Sequence, residues 1–301
     1  MGGFFQELAK KLAERWVGLL FVPGALFVVG ALLGVNLGHA HALDWTMAVR
    51  EVSGAAVGRH PSSGQAVVIV ALLLAATAVG LVVQAMTGMT RAVWLGRWPR
   101  PFAVFARWLT VRRRTRWHAH LKRRRDLERA HPIESRDAAA QHEINLAAER
   151  VTKLAMAEPG RPTWMGDRIH AVEQVALNRY GLDLTFAWPR LWLVLPETAR
   201  TEITSVNGAF AAAVTVGSWA WPALVLGTFW WPALVAALVV GATGWVRARA
   251  AITDLSSLTE ATLDIHGHTL AAALGVVTET STGPLTINEG QLITAMVRKG
   301  R

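Results

Sequence analysis

Ile203–Val246 is a run of 44 residues without one ionisable side chain. As a helix it would extend ~66 Å at ~1.5 Å per residue, about twice a hydrocarbon core of ~30 Å. One crossing cannot absorb that length, so a helical hairpin is expected. The turn is expected at Gly227-Thr228-Phe229-Trp230-Trp231. Pro232 would then take the first position of the returning helix, where its missing N–H costs nothing. Pro222 is a rival turn site; otherwise it kinks the incoming helix.

Two more stretches carry no charge, Trp16–Gly38 and Gln65–Thr90. Each is long enough to read as a span. The expected fold class is therefore all-α, a polytopic membrane protein with four transmembrane helices. They fall at about 16–37, 65–89, 206–226 and 232–246, the last two within a 201–249 hairpin segment. Residues 1–96 would comprise an amphipathic N-terminal helix (Phe4, Phe5, Leu8, Leu12, Trp16), two spans and a connecting loop at 38–64. Residues 97–200 would form a basic helical region, and 250–301 a helical stalk followed by a loose tail.

Charge then orients the chain. Of 31 Lys and Arg residues, only Arg50 and Arg59 lie in the 38–64 loop. Lys10, Lys11 and Arg15 precede the first span, and the remainder lie between the second and third spans or after Val246. The Lys/Arg bias places the rich side in the cytoplasm, with both termini inside. A three-span chain would put the tail outside instead. Lys10-Lys11, an apolar run and Ala40-His41-Ala42 imitate a cleavable leader. Leader cores are roughly 7–15 residues, shorter than this run, so retention as an anchor is expected. The location that follows is a bacterial cytoplasmic membrane, crossed several times.

Leading into 97–200, the segment Arg91–Arg129 carries basic side chains interleaved with Trp94, Trp98, Phe102, Phe105, Trp108 and Trp117. Arg107, Arg112, Arg113, Arg114, Arg116, Lys122, Arg123, Arg124 and Arg125 form a candidate basic patch for lipid or a partner. Membrane lipids with anionic headgroups attract such clusters at about 1 kcal/mol per charge. A protein partner on the same side would use the same surface. Nucleic acid is the least supported ligand, because no recognition motif accompanies the phosphate-neutralising potential. Trp94, Trp98, Trp108, Trp188, Trp192, Trp230 and Trp231 are the candidate interfacial aromatics.

His131-Pro132 should end the basic helix. Ser135–Glu158 then reads as a second helix, antiparallel to the first and projecting with it into the cytoplasm. Thr163 is a candidate N-cap, and Ile169, Val172, Ala176 and Tyr180 share a face. Gly181 should stop that helix. Trp188-Pro189-Arg190-Leu191-Trp192 reads as a Pro-broken segment at the membrane surface, and Pro196 opens the long helix into the third span. After the fourth span, Ile252, Leu255, Leu263, His266, Leu270 and Leu274 form one stripe. That stripe is expected to pack against 197–206. From Thr278 a loose tail is expected.

Arg161-Pro162-Thr163-Trp164-Met165-Gly166-Asp167, Arg179-Tyr180-Gly181-Leu182-Asp183, Trp188-Pro189-Arg190-Leu191-Trp192 and Leu263-Asp264-Ile265-His266-Gly267 resemble segments of a set of uncharacterised bacterial multi-span membrane proteins. The resemblance covers roughly 160–275. It implies the architecture and no activity. Asp167 stands where that set has Asn. The Ala-, Arg- and Gly-rich composition is of an actinobacterial kind.

No catalytic chemistry is visible. The P-loop, the Gly-x-Ser-x-Gly elbow and the His-Glu-x-x-His helix are all absent. The chain has no cysteine. His39/His41, His118/His120 and His266/His268 have i, i+2 spacing, which splits them between helix faces. No enzyme activity, cofactor or metal is expected, and His266 reads as a packed histidine. The spans carry no Asp, Glu, Lys or Arg, which argues against an ion-coupled transporter. Gly30, Gly34 and Gly38 form a small-residue stripe suited to close helix packing, within one protomer or in a homo-oligomer. Two readings follow: a non-enzymatic membrane anchor or adaptor, and an oligomeric channel or pore-forming effector.

Overall fold

The computed structural model describes residues 7, 21–44, 46, 47, 49, 62–278 and 283–298. The N-terminal lead-in helix, the start of the first uncharged stretch and most of the 38–64 loop lie outside these residues. Every described element is helical, and the described residues contain no strand. In chain order the α-helices are α1 (Val22–Leu37), α2 (Ser62–Trp94), α3 (Ala103–Ala130), α4 (Ala138–Leu154) and α5 (Trp164–Tyr180). They continue as α6 (Leu184–Val194), α7 (Glu197–Ser218), α8 (Ala220–Gly227), α9 (Trp231–Ala273) and α10 (Ile287–Arg298). Among the described residues, three segments are long and apolar enough to cross a membrane: Ala66–Trp94, Glu197–Gly227 and Trp231–Ala273. Val22–Leu37 is apolar but shorter.

The chain divides into two compact units. The first is Met1–Thr90 with Ala211–Ala248, and the second is Arg91–Phe210 with Arg249–Arg301. The divisions fall inside α2, α7 and α9.

In the first unit the uncharged run folds back on itself. The turn lies between Gly227 and Trp231, with Thr228 N donating to Val225 O (3.2 Å) and Trp230 N to Leu226 O (3.0 Å). Gly227 faces Leu234, Gly241 faces Ala220, and Gly244 faces Gly217. Those pairings run in opposite directions along the chain, as an antiparallel hairpin requires. A Cβ on Gly244 would lie 2.6 Å from Gly217 N, so the two backbones touch where both positions are glycine. Close backbone approach of this kind is how helices pack where apolar burial gives no drive. The incoming helical arm of the hairpin is interrupted at Trp219, three residues before Pro222. The outward faces are apolar: Leu26, Leu74 and Leu238 are all exposed. Apolar surface of that extent in water marks an interaction face, which is consistent with membrane association.

Several polar side chains of this unit are paired. Thr90 Oγ1 accepts from Trp221 Nε1 at 3.0 Å and lies 2.8 Å from Ser218 Oγ, with both hydroxyl residues buried. The Trp230 indole donates to Ala42 O at 3.1 Å, and a ring nitrogen of His39 lies 3.0 Å from Thr228 O. The hairpin turn is thus tied to the segment following α1.

The second unit has a continuous apolar core. Ala176 and Tyr180 of α5, Ala187 and Leu191 of α6, Ile203 of α7, and Leu263 and Leu270 of α9 are buried together. Its helices start and stop on readable signals. Thr163 Oγ1 caps α5 by accepting from Gly166 N at 3.2 Å. Gly181 ends it with φ +67°, Gly181 N donating to Leu177 O and Leu182 N to Ala176 O. That left-handed position suits glycine, which has no Cβ to clash.

Three sequence expectations need correction here. Residues 287–298 are not part of a loose tail. They form α10, started by a reciprocal cap in which Thr286 N donates to Glu289 Oε2 (2.8 Å) and Glu289 N to Thr286 Oγ1 (3.4 Å). Its Ile293 and Val297 enter the core, and Arg298 pairs with Asp183 at 2.6 Å. Second, the Trp188–Trp192 segment is not broken. α6 runs through Pro189, which lies inside the helix and removes one backbone donor without ending it. Trp188 and Trp192 pack against the core of this unit rather than forming a separate surface element. Third, the helix expected over 135–158 is shorter. Asp137 caps it through Ala140 N at 2.7 Å, and it ends at Leu154.

Candidate functional site

α3 carries the basic patch, and its inward edge is set first. Leu109, Arg113, Trp117 and Leu121 recur every four residues and are only partly exposed, facing α4 and the segment after it. Arg113 Nε donates to Asp167 Oδ2 at 2.8 Å, and its Nη2 donates to Leu154 O at 3.1 Å. Asp167, 3% exposed, accepts Gly160 N (2.9 Å) and Arg161 N (2.6 Å) on its other oxygen. The Trp117 indole donates to Ala155 O at 3.2 Å. A buried carboxylate is tolerated only when its charge and lone pairs are met. Here one guanidinium and two backbone amides meet them. This clamp holds α3 to the 154–167 segment.

The patch therefore separates into two kinds of residue. Arg113 is a structural ion-pair partner. Arg114 pairs with Glu158 at 2.8 Å, and Arg124 with Glu128 at 2.8 Å on the same helix. Arg107, Arg112, Arg116, Lys122, Arg123 and Arg125 are exposed, and no acidic side chain among the described residues pairs with them. Arg112 lies 5.4 Å over the Trp108 ring. Trp98, Phe105 and Trp108 stack in series with centroids 5.6 Å apart at each step.

The other aromatic candidates have separate surroundings. Trp94 is half-buried at the end of α2, and its carbonyl accepts from Thr163 Oγ1 at 2.7 Å. Trp230 lies against Gly34 in the first unit, and Trp231 is exposed at the start of α9. The glycine stripe is not one surface. Gly34 is filled by Trp230, Gly30 has open space, and Gly38 ends α1 with φ +59°.

A polar seam absent from the sequence expectations joins α5 to α9. The Tyr180 hydroxyl donates to Asp264, and Arg179 Nη2 lies 3.6 Å from the same carboxylate. Burial and that hydrogen bond push the Tyr180 phenol up to about 12. Burial lowers the Arg168 guanidinium, with the Glu260 carboxylate opposing the effect. Arg249 lies 4.3 Å over the Trp164 ring. Asp264 is thus engaged by α5, and not by His266, which is half-buried on α9. The described residues hold no cluster of three or more His, Cys, Asp or Glu that could bind a metal.

The exposed face of α3 is a cationic and aromatic surface, on a helix held by the Arg113–Asp167 pair. Comparison with protein-family models, with curated proteins and with solved structures finds no match.

Proposed function

We propose that this chain is a non-enzymatic anchor or adaptor of a bacterial cytoplasmic membrane. Four spans hold it, with both termini in the cytoplasm, and the basic face of α3 binds anionic headgroups and a protein partner. The observation that carries the reading is the set of six exposed cations on α3 without acidic partners. They sit on a helix fixed by the buried Arg113–Asp167 pair. A fixed helix presents its charges without first losing side-chain and backbone freedom to order itself, so less binding energy is spent on ordering. The Lys/Arg distribution supports the orientation, and the uncharged hairpin supports the span count.

The channel reading has less to stand on. Gly34 is filled within the protomer while Gly30 and Gly38 have open space, so the stripe is not a continuous face, and the uncharged runs offer little polar lining.

Affinity capture of the tagged full-length protein in mild detergent tests the adaptor role. A partner at fixed stoichiometry is expected, and its loss is expected when Arg112, Arg116, Lys122, Arg123 and Arg125 become Gln. A homo-oligomer of defined size with no second protein would overturn the reading. For topology, a reporter inserted after residue 120 should read cytoplasmic and one near residue 55 external.

A further inference from the structure

We infer that the N-terminal end of α3 is a wedge inserted into the headgroup–acyl boundary of an anionic leaflet. The inference rests on the membrane-anchor reading and adds where α3 lies. Phe102, Val104, Phe105, Trp108 and Val111 are all more than half exposed, and Val104 reaches 81%. These residues cover about ten positions of one helix start and no other described element covers them. Apolar side chains of this size are found exposed in a cluster when another surface receives them.

The receiving surface is argued from charge and from attachment. No acidic residue occurs between Arg91 and Arg125. Arg97, Arg100, Arg107 and Arg112 flank the aromatic cluster and are exposed. Cations around an apolar strip match a layer whose surface is anionic and whose interior is apolar. The stem of each arginine covers apolar surface while the guanidinium stays at the headgroups.

Attachment fixes the depth. The last turn of α2 passes into α3 through a tight cap: Gly96 N donates to Val93 O (3.2 Å) and Arg97 N to Ala92 O (2.8 Å). Gly96 has φ +68°, and a Cβ there would meet Pro162 at 2.9 Å. The Trp98 indole donates to Val93 O at 2.9 Å. Trp98 then stacks on Phe105, and Phe105 on Trp108. The start of α3 is therefore held against the last turn of α2, whose residues close the apolar segment Ala66–Trp94 in sequence. The cluster begins at Phe102, a few residues beyond Trp94, so in sequence it falls where a chain leaves the hydrocarbon.

The chain contains no cysteine, so single nitroxide labels can be placed without background. Val104→Cys and Val111→Cys are the test positions. Leu74→Cys reports the span, and Ala119→Cys, exposed on the second half of α3, reports water. The full-length protein would be reconstituted in nanodiscs of phosphatidylcholine with phosphatidylglycerol. Collision with oxygen and with a water-soluble nickel chelate would be measured for each label. Leu74 is expected to read as deep, Val104 and Val111 as shallow but inside the boundary, and Ala119 as aqueous. In discs of phosphatidylcholine alone, nickel access at Val104 should rise severalfold. If Leu74 reads deep while Val104 and Val111 match Ala119, the wedge is refuted and the anchor stands. If Leu74 also reads aqueous, the anchor reading itself fails. Equal access at Val104 in both discs would refute the role of the anionic headgroups.

Discussion

The Arg113–Asp167 clamp makes a quantitative statement that the exposed arginine beside it does not. In Asp167→Ala, Gly160 N and Arg161 N lose their acceptor and Arg113, with a side chain 19% exposed, loses its counter-ion. Each buried donor left unmet costs about 1–3 kcal/mol. Breaking one partner of a buried pair costs about 3–5 kcal/mol in total, so about 4 kcal/mol is expected. Asp167→Asn keeps one carbonyl oxygen for the two amides but turns an N–H toward Arg113 Nε, donor against donor. Its cost should be about half as large. Arg112→Gln removes an exposed cation over Trp108 and should stay within about 0.5 kcal/mol. For a unit of this size, 1 kcal/mol moves the melting temperature by roughly 2–4 °C. Thermal unfolding of the full-length protein in detergent, followed by tryptophan fluorescence, should show Asp167→Ala falling by roughly 8–16 °C. Arg112→Gln should shift by less than roughly 2 °C. If Asp167→Ala and Arg112→Gln melt together, the clamp does not hold α3 and the split of the patch is wrong.

Three further outcomes are expected. Tyr180 is the only tyrosine in the chain, so ultraviolet absorbance of tyrosinate should titrate near pH 12 and move down toward ~10 in Asp264→Ala. Because the folded phenol is raised, its stabilisation is complete below about pH 10 and is lost as pH rises towards 12; a midpoint at the unperturbed value would contradict the Tyr180–Asp264 bond. Ile293→Ala in α10 should cost about 2–5 kcal/mol, read as faster hydrogen exchange in α5 and α6, whereas a free tail would leave both unchanged. Gly244→Leu should open the hairpin where it meets Gly217, raising protease access at the 228–230 turn; Gly30→Leu, at a position with open space, should not.

Much of the secondary structure was legible because its signals are local. The charge-free run demands a turn near its middle, and Gly227 and Pro232 mark where the two helices stop and start. Thr163 and Gly181 act through atoms three to five residues away, so spacing alone locates them. The site was less legible. Formal charge does not say which way an arginine points, and Arg113 differs from Arg112 only by a 100° turn of the helix. The Leu109, Arg113, Trp117, Leu121 spacing was the available signal for the inward edge. Trp188 and Trp192 show a second limit: an aromatic suited to a membrane interface is equally suited to a core. The Thr286-Ile287-Asn288-Glu289 capping box before an apolar run was the signal for α10. The buried partners of Asp167 lie on other elements, and no spacing in one segment reveals them.

Gly290 sits so close to the Tyr180 carbonyl that any Cβ would collide with it, and Ile293 and Val297 finish the core that α5 and α6 begin. That closure imposes an order of events during synthesis. The stretch Arg91–Phe210 leaves the ribosome well before Arg249–Val297, and the uncharged hairpin is made in between. The core around Leu182 and Leu191 must therefore wait, partly open, while the hairpin is placed. A ribosome stalled before residue 287 would hold a chain whose hairpin is already made but whose core is not yet shut.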